Sequence, residues 1–166
     1  MMKDKRLSLN SARLLLAISG ADPVQAIESA KRMVRSRRDS ISASLLIDIA
    51  AKTCYRPWSR IAAVYALGLL NHEPSVRILV RILQDPSESI ELRAHAAEAL
   101  GNLGRERALP ALRKILMSDQ KLILRKWCIY AISEIGGTTA RRILGRFAKT
   151  HPRGTLLDEL NSVMSQ

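Results

Sequence analysis

The sequence predicts an all-α fold, an α-solenoid of stacked antiparallel helix pairs with about nine or ten helices. Three observations carry this. Apolar residues recur at helical spacing along the chain, with no convincing alternation of the strand type. Proline and glycine divide the 166 residues into short segments, each about the length of one helix. Three of those segments align without gaps on arginines spaced 33 and then 32 residues apart.

Taken in order, Leu14, Leu15 and Ile18 mark a helix from Asn10 to near Gly20. Lys3, Lys5 and Arg6 precede it, the outline of a secretory signal. Arg13, however, borders an apolar run of only five residues, so residues 1–21 read as an amphipathic helix instead. Asp22-Pro23 has the form of an N-cap followed by a helix-opening proline, and Ile27, Ala30 and Val34 share one face of the next helix. Asp39 or Ser40 caps a third helix carrying Leu45, Leu46, Ile49 and Ala50. Pro57 opens a fourth and Pro74 a fifth, and further helices are expected over 88–103, 106–118, 121–135, 138–150 and 154–165. Asp85 and Asp119 are expected to cap the helices that follow them.

The aligned segments begin at Arg60, Arg93 and Arg125. Ala66, Ala99 and Ala131 match within them, and so do the small residues Gly68, Gly101 and Ser133. A helical glycine costs about 1 kcal/mol relative to alanine. Its recurrence therefore points to close approach of a neighbouring backbone. A second helix follows each segment: Val76, Leu79 and Leu83 correspond to Leu109, Leu112 and Leu116, and then to Ala140, Ile143 and Phe147. Apolar surface this wide needs more than one neighbour, which stacked pairs supply.

The run Leu-Arg-Ala-His-Ala-Ala-Glu-Ala-Leu-Gly-Asn-Leu-Gly at 92–104, continuing through Arg107-Ala-Leu-Pro-Ala-Leu-Arg-Lys-Ile-Leu, resembles a HEAT repeat. More narrowly, it is similar to the short HEAT-like repeats first associated with phycobilin lyases and found in many bacterial proteins. The resemblance extends over roughly 57–150 and is looser at 124–149, where Ser133 replaces glycine. It implies one continuous solenoid: a degenerate N-terminal repeat or cap over 1–55, three repeats over 56–151 and a closing helix over 152–166. It also implies that Arg60, Arg93 and Arg125 are structural, packing against neighbouring repeats or capping carbonyls, and that the second helices line the concave surface.

On that placement the charges form a ladder. The chain carries 27 Lys and Arg against 15 Asp and Glu, a formal charge of +12. Arg32, Arg81 and Lys114 occupy one column, and Arg77 and Arg141 a neighbouring one. Arg142, Arg146 and Lys149 follow at i, i+4 and i+7 on the last second helix. A further run, Lys31, Arg35, Arg37 and Arg38, ends the second helix of the chain. Solvated helix ends account for some of these cations individually, but a repeated column points to a basic concave face for an anionic partner.

Chemistry of other kinds is sparse. His72, His95 and His151 lack the spacing of helical metal sites, and Cys54 and Cys128 form no CxxC. No phosphate-cradling glycine loop or nucleophile elbow is present, so no metal or cofactor is expected. Most aromatic residues fall on faces expected to be buried, with Tyr55 and Trp58, flanking Arg56, the exception. The sequence thus predicts a non-enzymatic, bacterial-type HEAT-repeat scaffold of the cytoplasm that binds an acidic protein partner through the basic concave face. Two alternatives follow, a nucleic-acid backbone binder and a bilin-lyase-like enzyme or accessory subunit. A homodimer through the solenoid ends is compatible with each.

Overall fold

The computed structural model describes residues 22, 24–29, 40–70, 72–118, 120–151 and 154–164. Residues 24–29 are helical. Eight further α-helices follow in order: α1 Ser40–Ala51, α2 Pro57–Leu69, α3 Ser75–Gln84, α4 Ile90–Leu103, α5 Leu109–Leu116, α6 Leu122–Ile135, α7 Gly137–Thr150 and α8 Thr155–Met164. A 3-10 turn, Glu106–Ala108, leads into α5. The chain is therefore all-α, built from paired antiparallel helices.

Local chemistry sets the boundaries. Asp22 Oδ1 accepts hydrogen bonds from the backbone N–H of Val24 and Gln25 at 2.9 and 3.0 Å, as its N-cap reading requires. Pro57 starts α2. Ser89 caps α4, its hydroxyl accepting from the N–H of Leu92 at 3.2 Å. Asp85 does not cap that helix as the sequence led us to expect: its carboxylate closes the preceding turn, accepting from the N–H and hydroxyl of Ser87. These bonds hold the Asp85 carboxyl below its ordinary pKa. Gly104 ends α4 at φ 63°, a left-handed position that suits glycine.

The helices form two layers. In the first, α2, α4 and α6 lie side by side, with α8 packed against α6. The second holds α1, α3, α5 and α7. Glycine sets the spacing of the first layer: a Cβ built on Gly68 would lie 2.7 Å from Ala99 Cα, and one on Gly101 would lie 2.9 Å from Ala131 Cα. Those backbones meet with no room for a methyl group, the close approach that the repeated glycines predict. The core runs between the layers and includes Leu67, Leu79, Leu100, Leu112, Ile132 and Phe147, all buried.

The arginines that begin the repeats tie the layers together. Arg60 Nε donates to Ala50 O at 3.1 Å, Arg93 Nε to Leu83 O at 3.0 Å, and Arg125 Nε to Leu116 O at 2.9 Å. Each guanidinium thus satisfies a carbonyl at the end of the preceding second-layer helix. Its far nitrogens reach the loop after its own pair, where the partner changes from repeat to repeat. Arg60 makes a two-pronged ion pair with Glu88, Arg93 donates to Gln120 Oε1 at 3.2 Å, and Arg125 meets His151 Nε2 at 3.3 Å. Because α1 supplies the carbonyl for Arg60, it occupies the place that α3 and α5 occupy in later repeats.

Candidate functional site

Second-layer helices stand apart where first-layer helices touch, and grooves open between them. One groove, about 520 Å³, is lined by Val76, Arg77 and Val80 of α3 and by Glu73, Pro74 and Arg107. The other, about 430 Å³, lies between α5 and α7; Leu109, Pro110 and Ile143 form apolar lining, and Arg113, Arg142, Arg146 and Glu106 supply charge. The two are equivalent, since Glu73, Val76, Arg77 and Val80 recur 33 residues later as Glu106, Leu109, Pro110 and Arg113.

Their electrostatics differ. In the first groove Arg107 Nη1 pairs with Glu73 Oε1 at 2.9 Å, and a second nitrogen donates to the Glu73 carbonyl. In the second, three guanidinia face a single carboxylate. Arg113 is a residue that sequence reasoning missed. It aligns with Val80, so no charged column ran through it.

All seven described residues of the expected basic face, Arg77, Arg81, Lys114, Arg141, Arg142, Arg146 and Lys149, are exposed. The structure brings Arg142 and Arg146 together in the second groove and puts Arg77 in the first. Arg81, Lys114, Arg141 and Lys149 line neither. Burial also corrects the register of the last pair: Ile78, Leu79 and Ile82 are buried like Ala111, Leu112 and Ile115, and then like Ile143, Leu144 and Phe147. Arg142 therefore succeeds Arg77, and Arg146 succeeds Arg81 and Lys114. Arg32 and the run Lys31, Arg35, Arg37 and Arg38 lie outside the described residues.

On the outward side of the first layer, aligned positions also form rows. Trp58, Glu91 and Ile123 make one, followed by Ala62, His95 and Trp127, and then by Tyr65, Glu98 and Tyr130. His95 Nδ1 lies 3.0 Å from Glu98 Oε2. Trp127 and Tyr130 contact each other with ring centroids 6.0 Å apart, and the Arg56 guanidinium sits 5.4 Å from the Trp58 ring centroid. Three aromatic residues expected inside are thus not fully buried: Tyr130 is exposed, and Tyr65 and Trp127 are half-buried, as are Tyr55 and Trp58, the two expected to be exposed. Among the described residues no group of three or more His, Cys, Asp or Glu converges to hold a metal ion, and no helix is long and apolar enough to cross a membrane.

Layered helix pairs joined by a repeated arginine define a helical-repeat protein of the solenoid class. The chain matches the HEAT-repeat family over residues 43–133 and 86–160, and it belongs to that family. Deoxyhypusine hydroxylase of Schizosaccharomyces pombe is 35% identical to it over 71 residues, which cover 43% of this chain and 22% of that enzyme. The chain spans about a fifth of the length of the curated relatives it matches. Among solved structures, the complex of CpcE and CpcF of phycocyanin lyase from Nostoc overlays on 99% of this chain and 67% of that one, with TM-score 0.65 and 20% identity. Human deoxyhypusine hydroxylase in complex with glycerol covers 75% of this chain and 43% of its own, with TM-score 0.60 and 26% identity.

These likenesses correct three expectations. The chain was expected to be a non-catalytic scaffold, not an enzyme and of bacterial type. Instead its curated relatives are one enzyme, deoxyhypusine hydroxylase, recurring in fungi and mammals. The expectation rested on missing short motifs. In a helical-repeat protein, however, neighbouring functional groups come from successive helices about one repeat apart in sequence, so a short motif is the wrong signal to seek.

Proposed function

We propose that this chain is a HEAT-repeat component of an enzyme of the bilin-lyase type, either catalytic or accessory, that works in complex with a second protein chain. The observation that carries the enzyme part of the reading is its sequence likeness to deoxyhypusine hydroxylases, and the bilin-lyase type is suggested by the fold it shares with a phycocyanin lyase complex. The overlay on the CpcE–CpcF complex supports the same architecture for a chain that acts as one of two. The second chain is acidic where it meets this one. It docks on the second-layer face through Arg77, Arg81, Arg113, Lys114, Arg142 and Arg146, where clustered cations attract and orient it; Arg141 and Lys149 extend that face.

The test is to capture the chain with its partner from the source cell after nuclease treatment. The pair is then incubated with the cell's protein extract, and intact protein masses are compared with and without the chain. A covalent mass change that requires the chain supports the reading. Capture that disappears with nuclease, or an extract whose masses never change, overturns it. Charge reversal at Arg113 and Arg146 should release the partner while helical content stays constant.

A further inference from the structure

The two layers differ in spacing, and the difference fixes the direction of the bend. Backbones of α2, α4 and α6 are in contact at Gly68 and Gly101, whereas α3, α5 and α7 leave open grooves. In a curved stack the tighter layer lies on the inside. The first-layer face is therefore the inner one, with α4 along its floor and α2 and α6 as its walls. The arginines of the second layer therefore lie on the outer side of the bend, and not on a concave surface as the family resemblance implied, because the backbones that meet at Gly68 and Gly101 belong to the first helices.

The chemistry of this trough is opposite to that of the chain as a whole. Its floor carries Glu91, His95 and Glu98, and Asn102 ends it. Its walls carry Trp58, Tyr65 and Leu69 on one side and Ile123, Trp127 and Tyr130 on the other. Both tryptophans of the chain and two of its three tyrosines stand here. Leu69, Ile123 and Tyr130 are 38%, 49% and 37% exposed, so apolar side chains face solvent where a surface helix ordinarily turns charge. Carboxylates between aromatic faces suit a cation, which gains ion pairing below and cation–π contact at the sides. One cation of the chain already uses the rim in this way, with Arg56 resting over Trp58.

We infer that the trough of α2, α4 and α6 is a docking site for an extended basic segment of a partner protein, whose lysine or arginine side chains meet Glu91 and Glu98 between Tyr65, Trp127 and Tyr130. The floor from Glu91 to Asn102 is about 16 Å long at helical rise, the reach of about five extended residues. This inference is independent of the enzyme reading, since it concerns the opposite face from the one that docks the acidic chain.

Tryptophan fluorescence reads the trough directly, because Trp58 and Trp127 are the only two tryptophans. The full chain is titrated with a decapeptide of alternating lysine and glycine, a glutamate–glycine decapeptide and a serine–glycine decapeptide. The lysine peptide is expected to bind saturably despite the chain's net charge of +12, and the other two are not. Glu91→Gln with Glu98→Gln should weaken binding about tenfold, with helicity unchanged. Trp127→Phe, a milder change, should weaken it less and keep the fold, whereas Arg113→Glu with Arg146→Glu should leave it unaltered. Preference for the glutamate peptide, no saturable signal, or lysine-peptide binding indifferent to the double glutamine variant would overturn the inference.

Discussion

The first and second helix layers are made from the same repeat, yet they solve opposite problems. In the first layer, glycine and alanine let α2, α4 and α6 meet backbone to backbone. In the second, leucine and isoleucine point into the core, and the outward positions are left to arginine and lysine. The closest backbone contacts in the stack are therefore in the first layer, which leaves the second freer to vary its outward surface. The grooves illustrate that freedom: at equivalent places, Arg107 is neutralised by Glu73, while Arg113, Arg142 and Arg146 face only Glu106.

Breaking the tie between the layers should have the largest effect. Arg60→Ala leaves the nearly buried Glu88 without its partner and Ala50 O without its donor. It should cost about 3–5 kcal/mol in urea unfolding. Arg125→Ala removes the same carbonyl bond but faces a histidine instead of a carboxylate, so its cost should be smaller, about 1–3 kcal/mol. Equal costs at the two positions would mean that the varying partners contribute nothing.

Glycines offer the sharpest contrast between the layers. Gly68→Ala puts a methyl group against the Ala99 backbone, a contact that no side-chain rotation relieves. It should destabilise by about 1–3 kcal/mol although alanine is the better helix former. Gly145 sits within α7, and a Cβ there meets nothing within 4 Å. Gly145→Ala should therefore stabilise by about 1 kcal/mol. Thermal unfolding of the two variants side by side checks both signs; destabilisation at both would show that the second layer is as tight as the first.

Thiol chemistry gives the smallest and simplest test. Cys128 is buried in the first layer, and desolvation pushes its pKa up to about 12. Cys54 is exposed between α1 and α2. A thiol reagent near pH 8 should label Cys54 and spare Cys128 until the chain unfolds. The folded state disfavours the Cys128 thiolate, so stability falls as pH rises past the unfolded thiol's value of about 8.5.

Much of this architecture was legible in one dimension. The spacing of Arg60, Arg93 and Arg125 announced the repeat, and Gly68 and Gly101 announced the tight contact, because both signals are local and recur. The last pair was misread by one residue. The interval from α6 to α7 is shorter than its predecessors, and aligning Val76 with Ala140 looked as good as aligning Ser75 with it. On a helix that single step turns a side chain by about 100°, enough to exchange Arg141 for Arg142. Tyr65, Trp127 and Tyr130 were assigned to the interior because such residues usually bury. Their outward placement follows from which side of α2, α4 and α6 the second layer covers, a relation between distant segments.

Sequence alone determined that the chain forms paired helices, where most of them begin and end, and which glycines admit a neighbour. Capping, periodicity and propensity act within a few residues and leave their mark in order along the chain. Tertiary structure decided which acceptor each repeated arginine reaches, which arginines share a groove, and that Trp58, Tyr65, Trp127 and Tyr130 surround a row of carboxylates. Those relations depend on how one helix rotates against another about 32 residues away, and packing sets that angle.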